Sequence, residues 1–226
     1  MLKSEWLIEY GLGVLMLSLV SSGLMAQGKQ IIDLPKPLQA GHYSLDQLLQ
    51  QRRSLREYSN EPVNLTHVSQ LLWAAQGITD TRGLRTAPSA GALYPLEIYV
   101  VAGNVTGLEA GVYHYQIHSH SLVQHVSGDK RHALAQAAYM QSWLSEAPVV
   151  IVFSADYKRT SKKYGARAER YVQIETGHAA QNLFLQAGDL DLGSVVVGAF
   201  YDAAVAELLQ LPSGFTPLVL MPVGKK

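Results

Sequence analysis

Three short segments hold the residue types that chemistry would need. Gln51-Arg52-Arg53-Ser54-Leu55-Arg56-Glu57-Tyr58 places three arginines and a serine within five residues. Forked guanidinium donors match phosphate oxygens, and a serine hydroxyl adds one more donor. The same residues would also make a solvated basic helix end, where arginine suits the macrodipole. Arg85-Thr86-Ala87-Pro88-Ser89-Ala90-Gly91-Ala92-Leu93-Tyr94-Pro95 is small and turn-rich and lies just before a strand. Such a segment brings backbone N–H and C=O groups close to a flat ligand, or forms an ordinary loop. Gly193-Ser194-Val195-Val196-Val197-Gly198-Ala199-Phe200 reads as a strand ending in small residues, and alone it suits a core better than a site.

Other chemistries are excluded by what the chain lacks. There is no GxGxxG dinucleotide fingerprint and no GxxxxGK[ST] phosphate loop. There is no cysteine, which removes disulfides, thiolate metal sites, iron–sulfur clusters and a Cys nucleophile. Ser89 stands outside any GxSxG elbow, so it is no hydrolase nucleophile. His118 and His120 are two apart, with His114 and His125 nearby, a spacing that on a strand could share a metal. They fall in an expected hairpin turn without a patterned carboxylate, so no metal site is expected. His178 reads as a hydrogen-bonded core residue on a helix, and Lys162 and Lys163 as solvent-facing charges. Lys plus Arg and Asp plus Glu both number 18, a balance that disfavours a nucleic-acid binder.

These segments must be positioned by a folded domain. The 226 residues fit one large domain or two small ones, and 48% hydrophobic with 16% charged residues can fill a sizeable core. Residues 1–26 begin with Lys3 and carry the uncharged run Gly11 to Ala26, which reads as a secretory signal cut after Ala26, or as a membrane anchor if retained. An exported, periplasmic protein in the first case and a membrane-tethered one in the second are the two expectations. Residues 27–43, punctuated by Pro35, Pro37 and Gly41, read as a linker to a domain spanning 44–226.

Within that domain, Ser44-Leu45-Asp46-Gln47 matches a capping box, with Leu45, Leu48 and Leu49 on one face of a helix. Asn64 caps a second helix, which stops at Gly77. Pro95 to Val101 reads as a strand, and Gly111–Ile117 and Ser121–Val126 as a hairpin. Asp129 opens a helix to about Met140, and Val149 to Ser154 is a buried strand. One long helix is expected over Tyr164–Gly188, with Ile174, Ala179, Leu183, Phe184 and Ala187 on its apolar face. Ser194–Val197 and Pro217–Val223 read as strands flanking a short helix that Asp202 caps. Hairpins among the strands favour α+β over a doubly wound sheet.

Together and in this order, the three segments resemble the FMN-dependent nitroreductase family, in its SagB/ThcOx-type dehydrogenase branch. The likeness rests on Arg-Arg-Ser-x-Arg at 52–56, on Arg85 through Glu97 (RTAPSAGALYPLE), and on Gly111-Val112-Tyr113-His114-Tyr115. Ile174 through Leu183 (IETGHAAQNL) and Pro222-Val223-Gly224 add to it, and the match covers nearly all of 44–226. The resemblance implies a mixed, mainly antiparallel sheet flanked by helices, and a homodimer with FMN at the subunit interface. It implies that Arg52, Arg53, Ser54 and Arg56 hold the FMN phosphate and ribityl chain, with a further contact from Lys225 or Lys226. It places Pro88, Ser89, Ala90, Gly91, Ala92 and Leu93 at the isoalloxazine, from the partner subunit, and Val196, Val197, Gly198 and Ala199 against the rest of the ring. The implied activity is hydride transfer between NAD(P)H and an electron-accepting small molecule of nitro or quinone type through flavin N5. The alternatives are oxidation of a peptide azoline to an azole, which needs a general base, and a non-enzymatic flavin-binding protein. Ala92 stands where many classical members place a polar amide, so their substrate preference does not carry over. No catalytic side chain is singled out. Lys162, Lys163, Tyr164 and Arg167 lie in a stretch that could cover the pocket.

Overall fold

Local signals start the first two helices. Ser44 Oγ accepts from the Gln47 N–H at 3.3 Å while Gln47 Oε1 accepts from the Ser44 N–H at 2.9 Å. Asn64 Oδ1 accepts from the His67 N–H at 2.8 Å, and His67 Nδ1 closes a second box at 3.4 Å. Each box satisfies two N–H groups that a helix start would leave orphaned.

The computed structural model describes residues 30–226. The expected signal or anchor at 1–26 lies outside them. The chain runs through β1 (Ile31–Asp33), α1 (Leu45–Gln51), β2 (Val63–Asn64), α2 (Leu65–Gln76), β3 (Leu96–Ala102), β4 (Val105–Thr106), β5 (Gly111–Gln116) and β6 (Ser121–Ser127). It continues through α3 (Arg131–Ala137), α4 (Trp143–Glu146), β7 (Val149–Asp156), α5 (Tyr157–Tyr164), α6 (Ala168–Asp189), β8 (Leu192–Ser194), α7 (Asp202–Leu208) and β9 (Phe215–Lys225). Seven strands form one sheet in the order β1-β6-β5-β3-β7-β9-β8, every neighbouring pair antiparallel. The short β2 and β4 pair in parallel beside it. The fold is α+β, a mainly antiparallel sheet flanked by helices.

The sheet is covered on both faces, and β7 shows why its sequence is uninterrupted apolar. Val149, Ile151 and Phe153 join the core shared with α2 and α6, whereas Val150 and Val152 join the core shared with α3 and α7. Alternate residues point to opposite faces, so a strand buried on both sides needs apolar residues throughout. Pro217 of β9 sits opposite Ser154, next to the register shift between Phe153 and Ser154, where a missing N–H costs least.

Several elements differ from the sequence expectation. The stretch 27–43 is more than a linker: Ile31–Asp33 pairs with β6, and Asp189 Oδ1 accepts from the N–H groups of His42 and Tyr43. The expected helix over 164–188 is two helices. Gly165 (φ 54°, ψ −132°) closes α5 in a conformation suited to glycine, and a single 3-10 turn leads into α6. The buried stripe of α6 carries Val172, Glu175, Thr176, Ala179, Ala180, Leu183 and Ala187. Ile174 is therefore off that stripe and 49% exposed. His178 also faces outward rather than into the core. The strand expected at 194–197 ends at Ser194, and only Val197 returns to pair with Leu220.

Candidate functional site

A first cleft forms where α1 ends. The chain leaves α1 at Arg52, and the Leu55 N–H donates to the Ser194 carbonyl at 2.8 Å, laying residues 52–56 against β8. This approach requires Gly193, since a Cβ there would lie 2.1 Å from Leu55 Cδ2 and 2.9 Å from Leu55 Cβ. The resulting cleft of about 270 Å³ is lined by Arg52, Arg53, Phe184, Gly193, Ser194 and Lys226, among others. Arg53 is aimed by bonds to the carbonyls of Gln50 (3.0 Å) and Arg52 (2.7 Å), and the Arg52 guanidinium lies 5.2 Å from the Phe184 ring centroid. Neither arginine forms an ion pair among the described residues. The Ser194 hydroxyl in the same wall is buried without a hydrogen-bond partner. Two guanidinium groups without counter-charges, an ammonium and an orphaned hydroxyl can together take up an anionic oxygen group.

The other residues expected to hold the cofactor are spread more widely. Ser54 is exposed on the segment that bridges to Ser194. Arg56 turns away, its guanidinium 5.7 Å from the Trp143 ring centroid. Lys225 is not in the cleft: its ammonium is paired with Glu61, and Lys226 takes the cleft position instead. Val197 is buried and hydrogen-bonded to Leu220, while Val196, Gly198 and Ala199 are exposed just beyond β8.

A second cleft, of about 280 Å³, is lined by Pro88, Ser89, Ala90, Tyr171, Ile174, Glu175 and His178. The loop between α2 and β3 makes its floor, with a 3-10 turn at Ala90–Ala92. Gly91, Ala92 and Tyr94 have φ of 64°, 53° and 48°, in the left-handed region that only Gly adopts freely, with right-handed Leu93 between them. Gly91 and Ala92 are exposed and Leu93 is half-buried. A Cβ at Gly91 would come within 2.7 Å of Tyr164 Oη and 3.0 Å of Lys163 Nζ, so the end of α5 lies over this turn. The loop's far end is braced by Arg159, which donates to the Tyr94 carbonyl at 3.1 Å and pairs with Glu97. Glu97 also accepts from His114 Nε2 at 2.7 Å, and Gln116 fixes that tautomer by donating to His114 Nδ1. Burial pushes the Glu97 carboxyl up, but the His114 hydrogen bond and the Arg159 charge outweigh it and hold the group below its usual range.

Glu175 behaves in the opposite way. It is 2% exposed, and burial pushes its carboxyl up to about 7 against smaller opposing effects of Ser89, Arg85 and Gln76. Sequence reasoning passed over it. The signal was there, since Glu175 stands three residues after Val172 and four before Ala179, a carboxyl on an apolar stripe. His120 at the hairpin turn serves structure: it bonds Tyr115, Ser69 and the Pro35 carbonyl, tying β1's exit to α2. Among the described residues no group of three or more His, Asp or Glu is placed to hold a metal.

The two clefts share no lining residue and sit toward opposite ends of α6, roughly 15 Å apart at 1.5 Å per residue.

The nitroreductase family model matches residues 49–225. A nitroreductase homologue from Methanocaldococcus jannaschii is 49% identical over 182 residues, covering 80% of this chain and 91% of that one. A solved nitroreductase homologue from Ralstonia eutropha superposes with a TM-score of 0.77 at 29% identity, over 86% of this chain and 89% of that one. More distant relatives are the microcin B17-processing protein of Escherichia coli (28% identical, 62% of this chain and 54% of that one) and the NADPH-flavin oxidoreductase of Vibrio harveyi (31%, 46% and 47%). With a family model matched over most of its length and a relative nearly half identical across the same span, the chain belongs to the nitroreductase family.

Proposed function

We propose that this chain is an FMN-dependent oxidoreductase that passes a hydride between NAD(P)H and an electron-accepting small molecule. The observation that carries it is the first cleft, where Arg52 and Arg53 converge with the partnerless, buried Ser194 hydroxyl. A phosphate monoester fits this donor set in charge and in hydrogen-bonding capacity. Arg52, Arg53, Ser194 and Lys226 would hold the FMN phosphate, and the exposed backbone at Val196 to Ala199 would meet the ring. When bound, the flavin supplies the redox chemistry. The protein's own residues bind, orient and exclude water. The second cleft, with Pro88 to Leu93, would close on a flavin held by another copy of the chain. The relation to the Vibrio flavin oxidoreductase supports the cofactor, and the family supports the reaction class.

Stopped-flow mixing with NADH and with NADPH tests the reading. The bound flavin should bleach rapidly and recover its colour when a quinone or nitroaromatic is added. A flavin that binds but is never reduced would leave only a binding protein.

A second reading is favoured by one feature. Lys163 and Tyr164 lie against Gly91 at the edge of the second cleft, and the chain is related to the microcin B17-processing protein. Oxidation of a peptide azoline to an azole needs a base at the substrate carbon, and on this reading these two side chains would be the candidates. Incubation of flavin-loaded protein with an azoline-containing peptide should then give a product 2 Da lighter, and an unchanged mass would set this reading aside.

A further inference from the structure

The connection between α3 and α4 holds two strained residues and half of an exposed aromatic pair. Tyr139 and Met140 have φ of 54° and 61°, consecutive left-handed residues that each carry a Cβ. Such a conformation costs free energy at each position and persists only where surrounding contacts impose it. Gln141 imposes it here: its Nε2 donates to the Ala138 carbonyl at 2.8 Å and to the Ala199 carbonyl at 2.9 Å. The Tyr201 N–H donates to the Ala137 carbonyl at 2.8 Å, a second tie between the end of α3 and the segment that follows β8.

The strain secures no burial for the side chains that bear it. Tyr139 is 56% exposed, Met140 68% and Tyr201 56%. The Tyr139 and Tyr201 ring centroids are 4.5 Å apart, with the planes tilted by 42°. This apolar surface adjoins both segments that approach the first cleft. On one side Gln141 grips Ala199, next to the exposed Gly198. On the other the Arg56 guanidinium lies 5.7 Å from the Trp143 ring centroid, which brings the end of segment 52–56 against the start of α4. Neither 138–143 nor 194–201 contains a charged residue. A molecule resting there meets two rings, a thioether and backbone, surfaces that suit a flat aromatic system.

We propose that Tyr139, Met140 and Tyr201 form a shelf that takes a planar aromatic molecule, of the size of a bicyclic quinone, and that the two tyrosine rings determine this specificity. That the molecule is the electron acceptor for a neighbouring flavin rests on the function proposed above. The capacity of the shelf to hold the ring does not. No step is assigned to the phenol hydroxyls, because the ring faces make the contact.

Equilibrium dialysis of 2-methyl-1,4-naphthoquinone against the full chain as purified, without NADH or NADPH, tests this. The chain has no cysteine for the quinone to alkylate. Tyr139→Ala and Tyr201→Ala should each weaken binding roughly three- to tenfold, whereas Tyr139→Phe and Tyr201→Phe should stay within about twofold of the natural protein. When NADH is added, KM for the quinone should rise by the same factor in the Ala variants, with a smaller change in kcat. Absence of binding by the natural protein, unchanged binding in both Ala variants, or equal weakening in the Phe variants would overturn the proposal. So would an altered mass on a sizing column in Tyr139→Ala, which would make the pair a contact between copies. Ring-dependent binding with no reduction by NADH or NADPH would uphold the shelf and defeat the proposed function. Reduction that is indifferent to both Ala variants would do the reverse. Should Tyr201→Ala fail to fold, Tyr139→Ala decides the matter, since its side chain lies on an exposed turn.

Discussion

At the scale of single residues, both clefts are built around groups whose partners are missing or insufficient. Arg52 lines the first cleft without a counter-charge among the described residues. Replacing it with Ala should remove a charge-assisted contact of roughly 1.5–3 kcal/mol, lowering FMN affinity about 10- to 150-fold in a fluorescence titration. The far-ultraviolet dichroism should not change, because Arg52 makes no hydrogen bond that the fold needs. Unchanged affinity would make Arg52 a solvated helix-end charge. Glu175 offers a stability test with a defined sign. Its pKa is about 7 when folded against an ordinary 4.5, so the folded state binds the extra proton between those values. The relative stability is therefore full below about pH 4.5 and is lost as pH rises through about 7, by at most roughly 3 kcal/mol. Glu175→Gln abolishes this slope. Urea midpoints of the two proteins should be similar at pH 5, and at pH 8 the variant should be the more stable. Equal midpoints at pH 8 would mean that water or Arg85 already solvates the carboxylate.

At the scale of elements, glycine and local caps decide what is possible. Gly193 lets residues 52–56 lie on β8. Gly193→Ala should destabilise the chain by roughly 1–3 kcal/mol and weaken FMN binding as the Leu55 segment moves off the strand. Denaturant midpoints and a flavin titration measure both, and a variant unaffected in either would show that the contact adapts freely. The elements that were legible in the sequence share a cause. Both capped helices and the 111–126 hairpin are written in local residues, namely Ser44 with Gln47, Asn64 with His67, and the alternation of GVYHYQ. What was not legible depends on distant partners. β1 has only three residues and exists because β6 offers an edge. α5 buries only Thr160, so no apolar period announces it. The arginine cleft was readable in part, since Arg52 and Arg53 meet there as the motif implies, but Lys225 is taken by Glu61 through a contact with no sequence signal. Glu175 was hidden because a burial-shifted carboxyl looks like any other until the helix face is known.

At the scale of the whole molecule, one chain carries two clefts that do not meet. The clefts lie toward opposite ends of α6, and apolar side chains around them are uncovered: Leu45 is 60% exposed, Leu49 52% and Ile174 49%. We propose that a second copy packs on this face, covering those side chains and joining a first cleft of one chain to a second cleft of the other. Light scattering on a sizing column should give twice the 24.7 kDa chain mass, less any cleaved leader, and a monomer that still binds FMN would contradict the shared site. Among the described residues no helix is long and apolar enough to cross a membrane. Export or anchoring, proposed from the uncharged run at 11–26, is tested by fractionation with N-terminal sequencing. A soluble cytoplasmic protein beginning at Met1 would contradict both. The most direct test of the account is the purified protein itself. It should be yellow, and denaturation should release one FMN per chain, identified by mass. A colourless protein that also takes up no added FMN would contradict it.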